Sequence, residues 1–153
     1  MTLEDRLTQD LKAAMLAGQQ QRVMTLRGLK SSLLYAKVAQ KSPRDEPMAD
    51  EAVLELFARE AKKRQESAEL YTQGGSPEKA ETELTEKAII EEYLPAQLSE
   101  DEVTKLVDRA IAELEATDVS KMGQVIGKVR AEAGMTADGA LIARLVRERL
   151  NNK

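Results

Sequence analysis

Apolar residues in this chain recur at intervals of three and four almost from end to end, and no segment alternates apolar and polar residues as a half-buried strand would. Such spacing places side chains on one face of an α-helix, because the helix has about 3.6 residues per turn. The clearest stripe comprises Val103, Leu106, Val107, Ala110, Ile111 and Leu114. It follows Ser99–Glu102, a sequence typical of an N-terminal capping box. The chain is therefore predicted to be all-α, with about seven helices.

Glycines and prolines mark the ends of the predicted helices. The first stripe consists of Leu3, Leu7, Leu11 and Met15, and the second of Val23, Leu26, Leu29 and Leu33, widened by Leu34 and Val38. The first helix is predicted to end at Gly18, and the third at Gly74-Gly75. Ser76-Pro77 has the pattern of a helix start, and the fourth helix is predicted to run to Leu94, where Pro95 stops it.

The break around Leu94–Leu98 predicts a domain boundary, because domains usually divide at short polar or proline-containing connections. The expected organisation is an N-terminal four-helix domain of residues 1–96 and a small C-terminal three-helix domain of residues 97–153.

Charge is distributed unevenly along the chain. The formal net charge is −4, but residues 1–44 carry eight Lys/Arg against three Asp/Glu, and residues 119–153 carry seven against three. The middle of the chain, residues 45–118, holds eight Lys/Arg against twenty-one Asp/Glu. An acidic protein repels nucleic acid at long range, so a nucleic-acid site would have to be a local basic face at one of the two ends.

The inventory of catalytic groups is small. The chain has no His and no Cys, which excludes imidazole and thiolate chemistry and the metal sites built on them. The carboxylates are interpreted as solvated surface groups, so no catalytic residue, no metal and no cofactor is predicted. The N-terminal segment lacks a signal-peptide pattern and no apolar run has membrane-spanning length, so a soluble cytoplasmic protein is expected.

Two helical segments offer basic residues to a ligand. Arg22, Arg27 and Lys30 belong to a net-basic helix, and Arg64 lies within "AREAKKRQES", Ala58–Ser67. Both patterns suit contacts with a phosphate backbone. A solvated helix face explains the first segment equally well, and for Ala58–Ser67 an exposed face held by ion pairs is favoured.

The segment Lys121–Gly139, "KMGQVIGKVRAEAGMTADG", holds four of the chain's eight glycines. Gly123 and Gly127 lie on one helix face, where missing side chains permit close approach of a neighbouring helix or of a ligand backbone; helix packing is favoured. Gly134 is predicted to end that helix. Asp138 and Gly139 begin the last helix, where free backbone N–H groups are able to hold an anion, although Asp138 would oppose one.

Four segments together resemble the GatB/YqeY family: "RVMTLRGLKSSL", "AREAKKRQES", "EEYLPAQLSEDEV" and "KMGQVIGKV…ADG". They occur in this order and at these separations in the family, whose stand-alone members have this length. The resemblance implies a four-helix domain joined to a three-helix domain. It also implies a relation to the tail of GatB, a subunit of the tRNA-dependent amidotransferase, which uses glutamine as amido donor. The carbon–nitrogen ligase label of the family is expected to come by that association, without catalytic machinery in this chain.

The resemblance extends to individual residues. Those that match the family pattern are Gly123, Gly127, Asp138, Gly139, Arg22, Arg27, Lys30, Arg64, Tyr93, Leu94 and Pro95. Thr136 and Ala140 stand where the family commonly has basic residues, which implies the loss of two phosphate contacts if those residues touch RNA. Lys121, Lys128 and Arg130 are the residues expected to compensate.

Three functions are compatible with these observations. The leading hypothesis is a non-catalytic helical module that binds tRNA or a tRNA-handling complex of the amidotransferase or translation machinery. The alternative is a protein–protein adaptor with no direct RNA contact. A free-standing tRNA-dependent amidotransferase is the third hypothesis and the least supported by the residues. Neither a membrane nor a metal is expected among the partners.

Overall fold

All regular structure in the computed structural model, which describes residues 1–152, is helical, so the all-α prediction is confirmed. The seven α-helices are α1 (Leu3–Leu16), α2 (Gln20–Ala39), α3 (Asp50–Gln73), α4 (Pro77–Glu91), α5 (Glu100–Leu114), α6 (Met122–Ala133) and α7 (Gly139–Asn151). Short 3₁₀ turns lie at Val119–Lys121 and Gly134–Thr136. The chain forms two compact units, the N-terminal unit Met1–Leu94 and a C-terminal unit that begins at Pro95. No helix in the described part of the chain is long and apolar enough to cross a membrane.

Helices α1 to α4 enclose the core of the N-terminal unit, which contains both aliphatic and aromatic side chains. Its buried members are Leu7, Leu11, Ala14, Leu26, Leu29, Leu33, Val53, Phe57, Ala61, Ile90 and Tyr93. The rings of Phe57 and Tyr93 meet edge to face, with centroids 5.5 Å apart. The hydroxyl of Tyr93 donates to the carboxylate of Asp10, and the guanidinium of Arg6 lies 4.6 Å from the centre of the same ring. Tyr93 therefore anchors the end of the unit in its core.

The fourth helix ends earlier than predicted. It stops at Glu91, and the predicted extension to Leu94 is wrong. Tyr93 and Leu94 instead form a tight turn in which their N–H groups donate to the carbonyls of Ile90 and Glu91, both at 3.1 Å. The residue before a proline is disfavoured in the α conformation, and the turn directs Tyr93 into the core.

The inward face of α2 also differs from the predicted stripe. It continues from Leu33 to Lys37, which is only 5% exposed, whereas Val38 is two-thirds exposed. Burial of a lysine is possible here because its ammonium group pairs with the carboxylate of Glu4 on α1. The second oxygen of Glu4 accepts the backbone N–H of Met48 at 3.0 Å, so the same carboxylate also holds the α2–α3 loop.

The core of the C-terminal unit is entirely aliphatic and is formed by α5, α6 and α7. Its buried members are Val103, Val107, Ala110, Ile111, Ala116, Val125, Val129, Ile142, Leu145, Val146 and Leu150. The capping box at the start of α5 is confirmed: the N–H of Glu102 donates to the Ser99 hydroxyl, and the Ser99 N–H donates to the Glu102 carboxylate, both at 3.1 Å.

Candidate functional site

The two glycines of α6 lie on the surface. Gly123 and Gly127 are exposed, and a Cβ atom added at either position would meet nothing within 4 Å. The expectation that these glycines serve helix packing is therefore wrong for the described part of the chain. Arg130 follows Gly127 by three residues and Gly123 by seven, so all three share one face of the helix. We call Gly123, Gly127 and Arg130 the α6 face.

Arg130 is the cation of this face, and its guanidinium lies beside the start of α7, where Asp138 holds the N-cap position. Its side chain is exposed and forms no ion pair among residues 1–152. Its guanidinium carbon would lie 3.7 Å from a Cβ atom added to Gly139, the first residue of α7. The Arg130 guanidinium therefore lies beside the start of α7, at ordinary van der Waals distance from a Cβ atom at position 139.

Neighbouring positions that the family pattern singles out have different surroundings. Asp138 holds the N-cap position of α7, although its side chain accepts no capping hydrogen bond from the helix. The Thr136 hydroxyl donates to the Ala133 carbonyl at 2.5 Å, and the Thr136 carbonyl accepts the N–H of Leu98 at 2.7 Å. Thr136 therefore joins the end of α6 to the segment before α5, whereas Ala140 is exposed.

The other two predicted cations of the C-terminal unit have partners within it. The Lys128 ammonium lies 2.8 Å from Glu113, and a hydrogen bond between them raises the pKa of Lys128 and lowers that of Glu113. Both side chains remain a third to a half exposed, so this surface pair is weak and its lysine is able to exchange the carboxylate for a phosphate. The ammonium of Lys121 donates to the Leu114 carbonyl at 3.4 Å.

Two predicted cations of the N-terminal unit connect its helices. Arg22 on α2 binds Glu92, at the end of α4, with a separation of 2.6 Å, and this hydrogen bond raises the pKa of Arg22. Arg64 on α3 lies 3.2 Å from Glu83 and 3.6 Å from Glu86, both on α4. Burial raises the pKa of Glu86. These two arginines are therefore engaged in structural ion pairs.

Arg27 and Lys30 are exposed and form no ion pair with any residue that the structure describes. With Lys37 and Arg44 they line a groove of about 370 Å³ on the N-terminal unit. Glu4 supplies the one carboxylate among the described residues that line this groove, and that carboxylate is already paired with Lys37. The groove therefore has an excess of positive charge.

Five of the predicted residues form two groups on the surface. The structure brings Gly123, Gly127 and Arg130 together, and it brings Arg27 and Lys30 together on α2. Tyr93 is a core residue, Leu94 packs against the same core, and Pro95 is exposed just after it.

An exposed apolar surface on α2 was missed by the sequence reasoning. Met24, Tyr35 and Val38 are each about two-thirds exposed or more. The sequence signal for this surface is the number of apolar residues in α2, which is larger than one buried face of a helix accommodates.

Comparison with known proteins gives one family match. The family described as Yqey-like protein matches residues 4–150, nearly the whole chain. No curated protein matches the chain.

Proposed function

The chain belongs to the Yqey-like protein family, and we propose that it is a non-catalytic, cytoplasmic helical module that binds structured RNA, tRNA first of all, through the α6 face. The observation that carries the proposal is the open space over Gly123 and Gly127 beside Arg130, which forms no ion pair with the other described residues. Glycine in a helix interior costs roughly 0.5–1 kcal/mol relative to alanine. Since no described helix packs on these two glycines, a ligand offers a reason for that cost.

A phosphodiester backbone fits the chemistry of the α6 face. Missing side chains let a backbone come close to the helix surface, and the guanidinium of Arg130 is then placed to bind a phosphate in a bidentate manner. Lys128 supplies a second contact when it leaves Glu113, and Lys121 supplies a third. Three such contacts give weak binding whose affinity falls with salt with a logarithmic slope of about −2 to −3.

The likeness to the GatB tail is the reason for choosing tRNA among structured RNAs. In this proposal the module contributes RNA contacts to the tRNA-dependent amidotransferase or the translation machinery. In this proposal the amide transfer from glutamine belongs to other proteins; this chain lacks His and Cys, the commonest general base and the best thiol nucleophile.

The experiment measures tRNA binding by gel shift at low salt for substitutions that leave the fold intact. Gly123→Gln/Gly127→Gln fills the open space with side chains that favour a helix more than glycine does. This variant is expected to be at least as stable as the wild type and to lose most of its RNA binding. Arg130→Glu is expected to abolish binding. Wild-type affinity in both variants would refute the α6 face as the RNA site.

Lys105→Glu on α5 is the matched control. Lys105 is exposed and in the same unit, and the substitution changes the net charge as much as Arg130→Glu does. If binding depends only on net charge, both variants lose it equally. If it depends on the α6 face, Lys105→Glu retains it.

A protein–protein adaptor is the second candidate function. The exposed apolar side chains on α2 favour it, because phosphate recognition has no use for them. Partners retained from a lysate after nuclease treatment separate the two functions, since an RNA-mediated association is lost by that treatment.

A further inference from the structure

Helix α2 presents a long unpartnered apolar stripe to solvent. Met24 is 68% exposed, Tyr35 77% and Val38 67%. Successive positions along Met24, Gly28, Ser31, Tyr35 and Val38 are three or four residues apart, so all five occupy one face of the helix. We call these five residues the α2 stripe. It covers about 21 Å of helix length.

Exposed apolar side chains also lie at the end of α1. The guanidinium of Arg27 lies 4.0 Å from the sulfur of Met15, which places the end of α1 beside the outer face of α2. Met15 is half exposed and Leu16 is mostly exposed. The exposed apolar side chains thus span two adjacent helices, a grouping that in soluble proteins marks an interaction site.

Positive charge borders the α2 stripe on one side, whereas a pocket at Met24 and Gly28 also contains Glu60, Arg64 and Glu86. The sequence of α2 contains four basic residues and no Asp or Glu. Two of them, Arg27 and Lys30, are exposed and have no ion pair among residues 1–152. The groove beside them adds the side chain of Arg44, whereas Lys37 in the same groove is paired with Glu4. A partner that covers the stripe therefore brings negative charge to this border.

We propose that the α2 stripe docks an amphipathic helix of another protein, whose apolar side chains cover Met24, Tyr35 and Val38 and whose acidic side chains face Arg27 and Lys30. The straight stripe of about four helical turns is the complement of a helix with apolar residues at intervals of three and four. A Cβ atom at Gly28 would meet nothing within 4 Å and Ser31 is small and exposed, so there is space between Met24 and Tyr35 for an apolar side chain of the partner. This binding site is additional to the proposed RNA contacts on α6.

Two other occupants fit the same surface less well. An RNA backbone gains nothing from Met24 or Val38, because phosphates bind cations and have no affinity for aliphatic groups. A second copy of this chain, paired stripe to stripe about a twofold axis, would bring the exposed Arg27 and Lys30 of one copy towards those of the other, since Arg22 and Lys37 are already paired with Glu92 and Glu4. That arrangement is repulsive.

The test measures binding of two stapled helical peptides to the full chain by fluorescence anisotropy. Both peptides carry leucines at intervals of three and four; one has glutamates beside the leucines and the other has lysines. The acidic peptide is expected to bind about tenfold or more tightly than the lysine peptide. Arg27→Glu/Lys30→Glu is expected to reverse this preference.

The apolar contacts are tested by Tyr35→Ser/Val38→Ser, which is expected to weaken binding of the acidic peptide about tenfold or more. Its thermal unfolding midpoint is expected to stay unchanged, because both side chains are exposed. Leu70→Ser on α3 is the matched control: Leu70 is equally exposed and lies outside the α2 stripe, so peptide affinity stays at the wild-type value.

Four outcomes would overturn the proposal: no binding of either peptide, equal affinity for both, equal loss on Leu70→Ser and Tyr35→Ser/Val38→Ser, or self-association in sedimentation that Tyr35→Ser removes. A tRNA gel shift that depends on Tyr35 and Val38 would assign the stripe to RNA instead. Failure of RNA binding at the α6 face leaves the peptide result unaffected, so the two proposals fail separately.

Discussion

The two units of this protein differ in the burial of their ion pairs. In the N-terminal unit, Lys37 is buried against Glu4, while Arg64, which joins α3 to α4, stays partly exposed. In the C-terminal unit the core is aliphatic, and the pairs that join its helices, such as Lys128–Glu113, lie on the surface. Burial therefore decides whether a cation supports the fold or is available to a ligand, since buried charge pairs cannot exchange partners without a large desolvation cost.

Neutralising one carboxylate of an ion pair is expected to change the free energy of unfolding very differently in the two units, and this is the largest difference that we expect between them. Glu4→Gln leaves the ammonium of Lys37 buried without an opposite charge, so the free energy of unfolding falls by about 3 kcal/mol. Glu113→Gln in the exposed pair is expected to leave unfolding unchanged. Urea unfolding gives the overall change, and amide hydrogen exchange shows which unit it affects.

The control for this comparison is Glu4→Gln/Lys37→Met, which removes both charges and is expected to recover at least about half of the lost stability. If Glu4→Gln and Glu113→Gln destabilise equally, burial is not what distinguishes the two pairs.

The aromatic residues give a second difference between the two units, which concerns stability at alkaline pH. All four aromatic residues lie in the N-terminal unit. Burial, together with the hydrogen bond to Asp10, raises the pKa of Tyr93 above its ordinary value of 10.0. The folded state therefore holds this proton more tightly than the unfolded state does, and its contribution to stability is full below pH 10.0 and is lost as the pH rises above it.

Tyr93→Phe is expected to cost about 1 kcal/mol at neutral pH, because the Asp10 carboxylate loses its hydrogen-bond donor. Between about pH 9 and 11 the variant is expected to lose less stability than the wild type does, since it lacks the titrating hydroxyl. Unfolding free energies at several pH values test this difference. Parallel pH profiles for the two proteins would contradict it.

The smallest expected effects come from two glycines of the C-terminal unit. Gly127→Ala is expected to stabilise the protein by roughly 0.5–1 kcal/mol, because the position is helical and a Cβ atom meets nothing there. Gly134→Ala is expected to destabilise it by about 1 kcal/mol, because Gly134 has a φ of +56°. Thermal unfolding shows whether each variant is more or less stable than the wild type. A change in the same direction for both variants would refute the structural distinction between the two glycines.

Much of the fold was predictable from the sequence because helix formation depends on local patterns. Periodicity identified the helices, Ser99 and Glu102 identified the start of α5, and Gly134 identified the end of α6. The capping box of Thr2 and Asp5 at α1 was missed, since its acidic residue is an aspartate and not the usual glutamate or glutamine.

The candidate site was only partly predictable, because pairing and exposure depend on residues far apart in the sequence. Arg22 and Arg27 look alike in the sequence, yet Arg22 binds Glu92, seventy residues away, and Arg27 has no ion pair in the described part of the chain. The outward orientation of Val38 likewise depends on Lys37, whose burial requires the distant carboxylate of Glu4.

The sequence by itself determined the helical class, most of the helix positions, and the absence of His and Cys chemistry. Only the tertiary structure decided which cations are paired, that Gly123 and Gly127 are open, and that α2 keeps an uncovered apolar stripe. The physical reason is that helix propensity and apolar periodicity act over neighbouring residues, whereas burial and ion pairing are set by helices that meet across the fold.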